Sequence, residues 1–191
     1  MSSTELTDPV AFFRDASQRV KDAGYGWEIE AVENRDIKTL TSEEFYCQYV
    51  FVVLSTGMKN QVADKMYLKF MEGGRNPELV RHPQKRKAIE RANREHRDWF
   101  RELMGSVDKL GVISSLPFIG PVTRFHLARN IGLLDYAKPD RHLARLAAKF
   151  GLRDAQALCD CIGKAVGLRA GVVDVILWRF SNLYGTGDDS S

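Results

Sequence analysis

Segment after segment of this chain places apolar side chains three and four residues apart, and nearly every such segment is closed by a glycine or a proline. That spacing marks one face of a helix, and those two residues are its strongest punctuation. Stretches that alternate apolar and polar residues, as a half-buried strand requires, are scarce. The pattern predicts an all-α class. Asp8-Pro9 opens a first helix to about Ala23, stopped by Gly24 and Gly26, and Trp27 to Lys38 has no clear period. Thr41-Ser42-Glu43-Glu44 is a helix start, with a capping hydroxyl and early carboxylates. The run Phe45–Leu54 fits a buried helix or a strand by periodicity alone; helical neighbours and the lack of a hairpin turn favour helix. A helix from Gln61 to Met71 has Val62, Met66, Leu68 and Phe70 as apolar positions, and Gly73-Gly74 ends it. Asn76 to Pro83 is a loop or short turn. Lys85 to Met104 turns Ile89, Ala92, Trp99, Phe100 and Leu103 inward and its arginines outward. Shorter helices are expected over Ser106–Ser114, from Gly120-Pro121 to about Ile131, and over Asp140–Phe150, Ala155–Val166 and Val172–Leu183. Residues 1–8 are expected to be a loose end, and 185–191 a disordered tail.

With 191 residues, 44% of them hydrophobic and 28% charged, the chain can bury a core as one domain or two small lobes. It has no apolar run long enough to span a membrane and no secretory leader pattern, so a cytoplasmic protein is expected. Three cysteines, Cys47, Cys159 and Cys161, fit a reducing compartment, and they are too few for an iron–sulfur cluster within the chain. The formal net charge of +3 is small, but Arg75 to Arg101 concentrates cations: Arg75, Arg81, Lys85, Arg86, Lys87, Arg91, Arg94, Arg97 and Arg101. Such a run attracts phosphate, or it is a solvated face with internal pairs such as Glu90 with Arg94.

The stretch Ser115 to Arg145 carries the chemistry. Leu116-Pro117-Phe118-Ile119-Gly120-Pro121 is a tight turn between two helices, and a proline fits the first turn of the second. Amides gathered at that helix N-terminus favour an anion, for which a nucleic-acid phosphate is a natural choice. Further on, Lys138-Pro139-Asp140-Arg141-His142 opens another helix, with Asp140 at its N-terminus as a plain cap or as a functional carboxylate.

Together these motifs resemble the helix-hairpin-helix DNA glycosylase superfamily, whose familiar member is endonuclease III. Its Leu-Pro-x-x-Gly hairpin is matched by Leu116-Pro117-x-x-Gly120, and its Asp-x-His element by Asp140-x-His142. Arg145 matches a common arginine, Val52-Val53-Leu54-Ser55 is similar to an apolar helix ending in Leu-Ser, and Asp174–Trp178 to a closing helix of some members. The resemblance implies a two-lobed helical fold with an active-site cleft between the lobes. Residues 1–44 would form an N-terminal helical segment packing with the C-terminal lobe, 45–135 the lobe with the hairpin, and 136–184 the C-terminal lobe. It also implies a monomer on double-stranded DNA, nucleoid-associated, with the target base flipped out. Leu116, Pro117, Phe118, Ile119, Gly120, Val122, Thr123, Arg141 and Arg145 would contact DNA. No cofactor and no side-chain metal site are expected; a K+ or Na+ ion at the hairpin carbonyls is the one ion implied.

Asp140 would be the catalytic carboxylate. Lys138, His142, Asn60, Lys59, Trp178 and Asp174 are the substrate-side candidates, with Asn60 as a base-pair probe. His142 is expected to hydrogen-bond across the hairpin, and Asp174 to face the cleft or pair with Arg179 or Arg141. Trp27, Trp99 and Trp178 are expected in the core, and Phe118 exposed. Three departures matter. Val122 stands where lyase-type members carry a lysine, so no amine nucleophile is available there. The glutamine after Leu-Ser is missing, and Phe118 replaces a common glycine. They favour a monofunctional glycosylase acting on a modified base, even a hypermodified one of phage DNA or of a defence against it. An alternative also rests on resemblance, to the alpha-glutamyl/putrescinyl-thymine pyrophosphorylase-like proteins, which are thought to join an amine to an activated thymine methyl group. A third is a non-enzymatic DNA-binding module.

Overall fold

The computed structural model describes residues 8–185, which are helical and form two compact units. One comprises the chain up to Asp36 and again from Gly132; the other is Ile37–Ile131. These boundaries fall earlier than the 44/45 and 135/136 junctions expected. The expectations of a loose end at 1–8 and a disordered tail at 185–191 fall, apart from Asp8 and Gly185, outside the described residues.

The first unit contains α1 (Pro9–Val20), α2 (Gly26–Glu33), α8 (Arg141–Lys149), α9 (Ala155–Val166) and α10 (Ala170–Tyr184). Asp8 caps α1 by accepting from the Val10 amide, with Pro9 in the first turn. The helix ends at Val20, short of Ala23. A wide turn, Lys21–Tyr25, follows, in which Gly24 takes a φ of 87° open to glycine at no steric cost. Gly26 does not stop the chain; it begins α2, so part of the undecided Trp27–Lys38 stretch is helical. Helix α10 is buried nearly all round from Ala170 to Leu177 and packs against α1, α2, α8 and α9. Glu28 and Arg179 form a half-buried ion pair between α2 and α10. Trp27 is 64% exposed, outside the core where it was expected.

The second unit contains α3 (Ser42–Ser55), α4 (Asn60–Glu72), α5 (Pro83–Gly105), α6 (Lys109–Ser115) and α7 (Thr123–Asn130). Helix α3 opens with a reciprocal capping box. The Thr41 hydroxyl accepts from the Glu44 amide, and the Glu44 carboxylate accepts from the Thr41 amide. Its apolar run is a buried helix packed on α4, α5 and α7. Helix α4 does not follow the expected face: Ala63 and Phe70 are buried while Val62 and Leu68 are more than half exposed. In α5, Ile89, Ala92, Trp99 and Leu103 are buried as the helical spacing requires. Asp108 caps α6, which therefore starts later than the expected Ser106.

Lys85 breaks the expected pattern of α5. It is buried rather than part of a basic face, and its ammonium donates to the carbonyls of Leu54 and Thr56, both at 2.7 Å. It thus satisfies carbonyls that the end of α3 leaves without helical partners. Burial pulls its pKa below the ordinary lysine value.

Candidate functional site: a helical hairpin and a capping aspartate

The hairpin lies in the second unit. Leu116 is buried and anchors the end of α6, and the Ile119 amide returns to the Leu116 carbonyl at 3.2 Å. Gly120 donates its amide to the Thr123 hydroxyl at 2.7 Å, while its carbonyl accepts from the Arg124 amide at 3.0 Å. The turn therefore uses Thr123 to close on itself. Pro121 brings no N–H, and the amides of Val122 and Thr123 donate to no described residue. These two amides are what the start of α7 offers an anion.

Phe118 has a φ of 63°, the left-handed region that glycine enters freely. Holding a phenylalanine there costs about 1–3 kcal/mol unless its surroundings compensate. The ring is half-buried, which corrects the expectation that it is exposed. It meets the His82 ring edge-on at 5.8 Å and lies 6.0 Å from the Lys85 ammonium. The Tyr49 hydroxyl donates to the Pro117 carbonyl at 2.6 Å, tying the turn to α3. Beside Pro117 and Phe118 runs an open groove lined by Gln84, Lys87, Ala88 and Arg91 of α5. Val122 is exposed, so the position at which the resemblance would place a lysine in lyase-type proteins is apolar and in solvent.

Asp140 lies in the first unit and caps α8. Its Oδ1 accepts from the amides of His142 at 2.9 Å and Leu143 at 3.1 Å. Its Oδ2 accepts no hydrogen bond from any described residue. The backbone leading to it is held from several sides. The buried Asp174 carboxylate accepts the Lys138 amide at 2.8 Å, and the Asp140 amide turns back to the Lys138 carbonyl at 2.8 Å. Gln156 grips the same loop twice, donating to the Asp135 carbonyl and accepting from the Ala137 amide. Gly171 donates to the Leu134 carbonyl at 2.7 Å, so close that a Cβ at Gly171 would meet Leu134 backbone at 3.2 Å.

Several expected roles change. Asp174 pairs with neither Arg179, which binds Glu28, nor Arg141; it holds the backbone before Asp140. His142 makes no side-chain hydrogen bond with a described residue, and its Nδ1 is buried. Trp178 is half-buried, with the Arg179 guanidinium 4.9 Å from its ring. Arg141 and Arg145 are exposed on one face of α8, and Lys59 is exposed before α4. The Asn60 side chain lies outside what is described. No group of three or more metal-ligating side chains occurs among the described residues. Gln156 was missed: nothing distinguishes a surface glutamine in sequence, and only folding sets it against residues 135–137. No helix among them is long and apolar enough to cross a membrane.

No protein-family model and no curated protein matches this sequence. Solved structures do match its fold. The 8-oxoguanine DNA glycosylase of Thermotoga maritima superposes with a TM-score of 0.70 at 17% identity, covering 93% of this chain and 98% of that one. The Methanocaldococcus jannaschii 8-oxoguanine glycosylase/lyase, in complex with a 15mer DNA containing 8-oxoguanine, gives 0.67 at 16% identity over 88% of this chain and 96% of that one. Another structure of the M. jannaschii 8-oxoguanine DNA glycosylase gives 0.65 at 17% identity over 91% and 94%.

Proposed function

We propose that this chain, whose fold is that of the helix-hairpin-helix DNA glycosylases, is a monofunctional DNA N-glycosylase that removes a modified base. The observation that carries this reading is the state of the Asp140 carboxylate. One oxygen is fixed by two amides and the other is left without a described donor. A cap that served α8 alone would not need the backbone before it held by Asp174, Gln156 and Gly171 together.

In this reading the hairpin amides of Val122 and Thr123 bind a backbone phosphate and the target nucleotide leaves the stack. The bond between base and anomeric carbon breaks, the base takes the electron pair, and positive charge develops on the sugar. The Asp140 carboxylate opposes that charge and accepts a proton from the water that adds to the anomeric carbon. Val122 offers no amine, so a Schiff base at that position cannot form and the strand stays whole. Lys138 binds a phosphate or a substituent of the base, and Arg141 and Arg145 meet flanking phosphates. Lys59 and Asn60 reach toward the gap left by the base. The protein acts as a monomer. A K+ or Na+ ion at the hairpin belongs to the same proposal. Leu116, Pro117 and Gly120 carbonyls already accept internal donors, so Phe118 and Ile119 carbonyls are the natural ligands. No step depends on it.

The test is incubation with duplexes carrying 8-oxoguanine or modified pyrimidines, followed by mass spectrometry of free bases and nucleosides. A free base is expected, with a strand that breaks only after alkali or heat. A direct nick lost in Asp140→Asn, or a heavier nucleoside retained in intact DNA, would overturn the reading.

A further inference from the structure

Helix α5 carries seven lysines and arginines against four acidic residues, a surplus equal to the +3 of the whole chain. Its cations have separate fates. Lys85 is buried at the end of α3. Arg86 is held by Glu78 and the Val80 carbonyl, Arg91 pairs with Glu95, and Arg101 with Asp98. Lys87, Arg94 and Arg97 are exposed and form no ion pair with a described residue. Lys87 and Arg94 lie two turns apart on one line, and Arg97 follows within the next turn. From Lys87 to Arg97 the helix rises about 15 Å, enough to run beside several phosphates of one strand. Arg91 lies between them, and its exposed pair with Glu95 is of the kind that contributes about 0–1 kcal/mol and exchanges readily. Half-buried Glu90 is the one acid on this side that pairs with no cation among the described residues, and three cations outweigh it.

This line of charge begins at the groove where Gln84, Lys87, Ala88 and Arg91 meet Pro117 and Phe118 of the hairpin turn. We infer that the face of α5 from Lys87 to Arg97 is a second phosphate track for duplex DNA, continuous with the hairpin and holding the backbone that flanks the target. The stripe exposes cations and no large apolar side chains, which suits a phosphate backbone and supplies neither the apolar centre of a protein interface nor the apolar face that inserts into a bilayer. It rests on the reading of the hairpin as a phosphate grip.

The experiment measures anisotropy of a short unmodified duplex against salt, over about 50–200 mM. It compares wild type, the triple variant Lys87→Ala, Arg94→Ala, Arg97→Ala, and the charge-matched control Arg14→Ala, Lys21→Ala, Lys164→Ala. All six side chains are exposed, and unchanged melting curves verify folding. The triple variant should bind more weakly, with a log–log salt slope shallower by about 2–3, while the control keeps the wild-type slope. An unchanged slope in the triple variant, or an equal loss in the control, overturns the track. Base release at saturating protein separates the two proposals. Release with an unchanged slope removes the track and leaves the glycosylase; a shallower slope without release keeps the track and removes the glycosylase.

Discussion

The entrance to α7 and the entrance to α8 both pass through a proline, yet they present opposite things. The α7 entrance turns its side chains to its own upkeep: Thr123 closes on Gly120, Tyr49 holds Pro117, and Phe118 rests on His82. What it leaves for a ligand is backbone amides beside an apolar Val122. The α8 entrance presents a carboxylate, and the residues around it hold the backbone so that this one side chain is fixed. A surface of amides grips any phosphate and reads no sequence. A fixed carboxylate can oppose one developing charge at one place. On the proposed function this difference would separate holding from chemistry, and substitutions at the two entrances should then divide the same way.

Asp140→Asn should have the largest effect. Base release is expected to fall about 10²–10³-fold, while the melting temperature hardly moves, because asparagine caps a helix nearly as well as aspartate. Asp140→Ala should lose release and also about 1 kcal/mol of stability. If Asp140→Asn keeps its activity, the α8 entrance is only a cap and the comparison collapses.

Asp174→Ala comes next. It strands the part-buried Lys138 amide, at a cost of about 1–3 kcal/mol. Release should drop while affinity for unmodified duplex stays constant; a loss of affinity instead would put Asp174 on the holding side. Phe118 sharpens the other half. Phe118→Ala loses the ring and keeps the strain, whereas Phe118→Gly loses the ring and relieves it. The glycine variant should be the more stable by about 1 kcal/mol in denaturant titration. The reverse order would mean that the turn relaxes without help.

The smallest effect is alkaline. Burial pushes the Tyr49 phenol above the ordinary tyrosine range. Above about pH 10 the unfolded chain has lost this proton and the folded chain has not. The folded state then binds more protons, so stability falls as pH rises. Tyr49→Phe should flatten that slope and, by freeing the Pro117 carbonyl, cost about 1 kcal/mol at neutral pH.

Much of this was legible in the chain. Glycine and proline mark most helix ends because their effect is local, and the Thr41 box and the Asp140 cap are likewise set within a few residues. The failures share a cause. Lys85 belongs to a basic run, but its side chain ends on carbonyls of another helix. Val62 and Leu68 fit a helical face that the neighbours do not cover, and Trp27 is hydrophobic yet 64% exposed. Gly24 reads as a stop because it leaves helical φ, but the chain resumes at Gly26.

By itself the sequence determined the helical class, the hairpin, the carboxylate eighteen residues after Val122 and the apolar identity of position 122, because these follow from local backbone preference and side-chain identity. Only the tertiary structure decided which polar groups serve the fold and which remain for a ligand. Asp174, Gln156 and Lys85 are ordinary charged or polar residues until packing sets each against a particular amide or carbonyl. A buried polar group must find a partner, and that partner is chosen by proximity in space, which spacing along the chain does not encode.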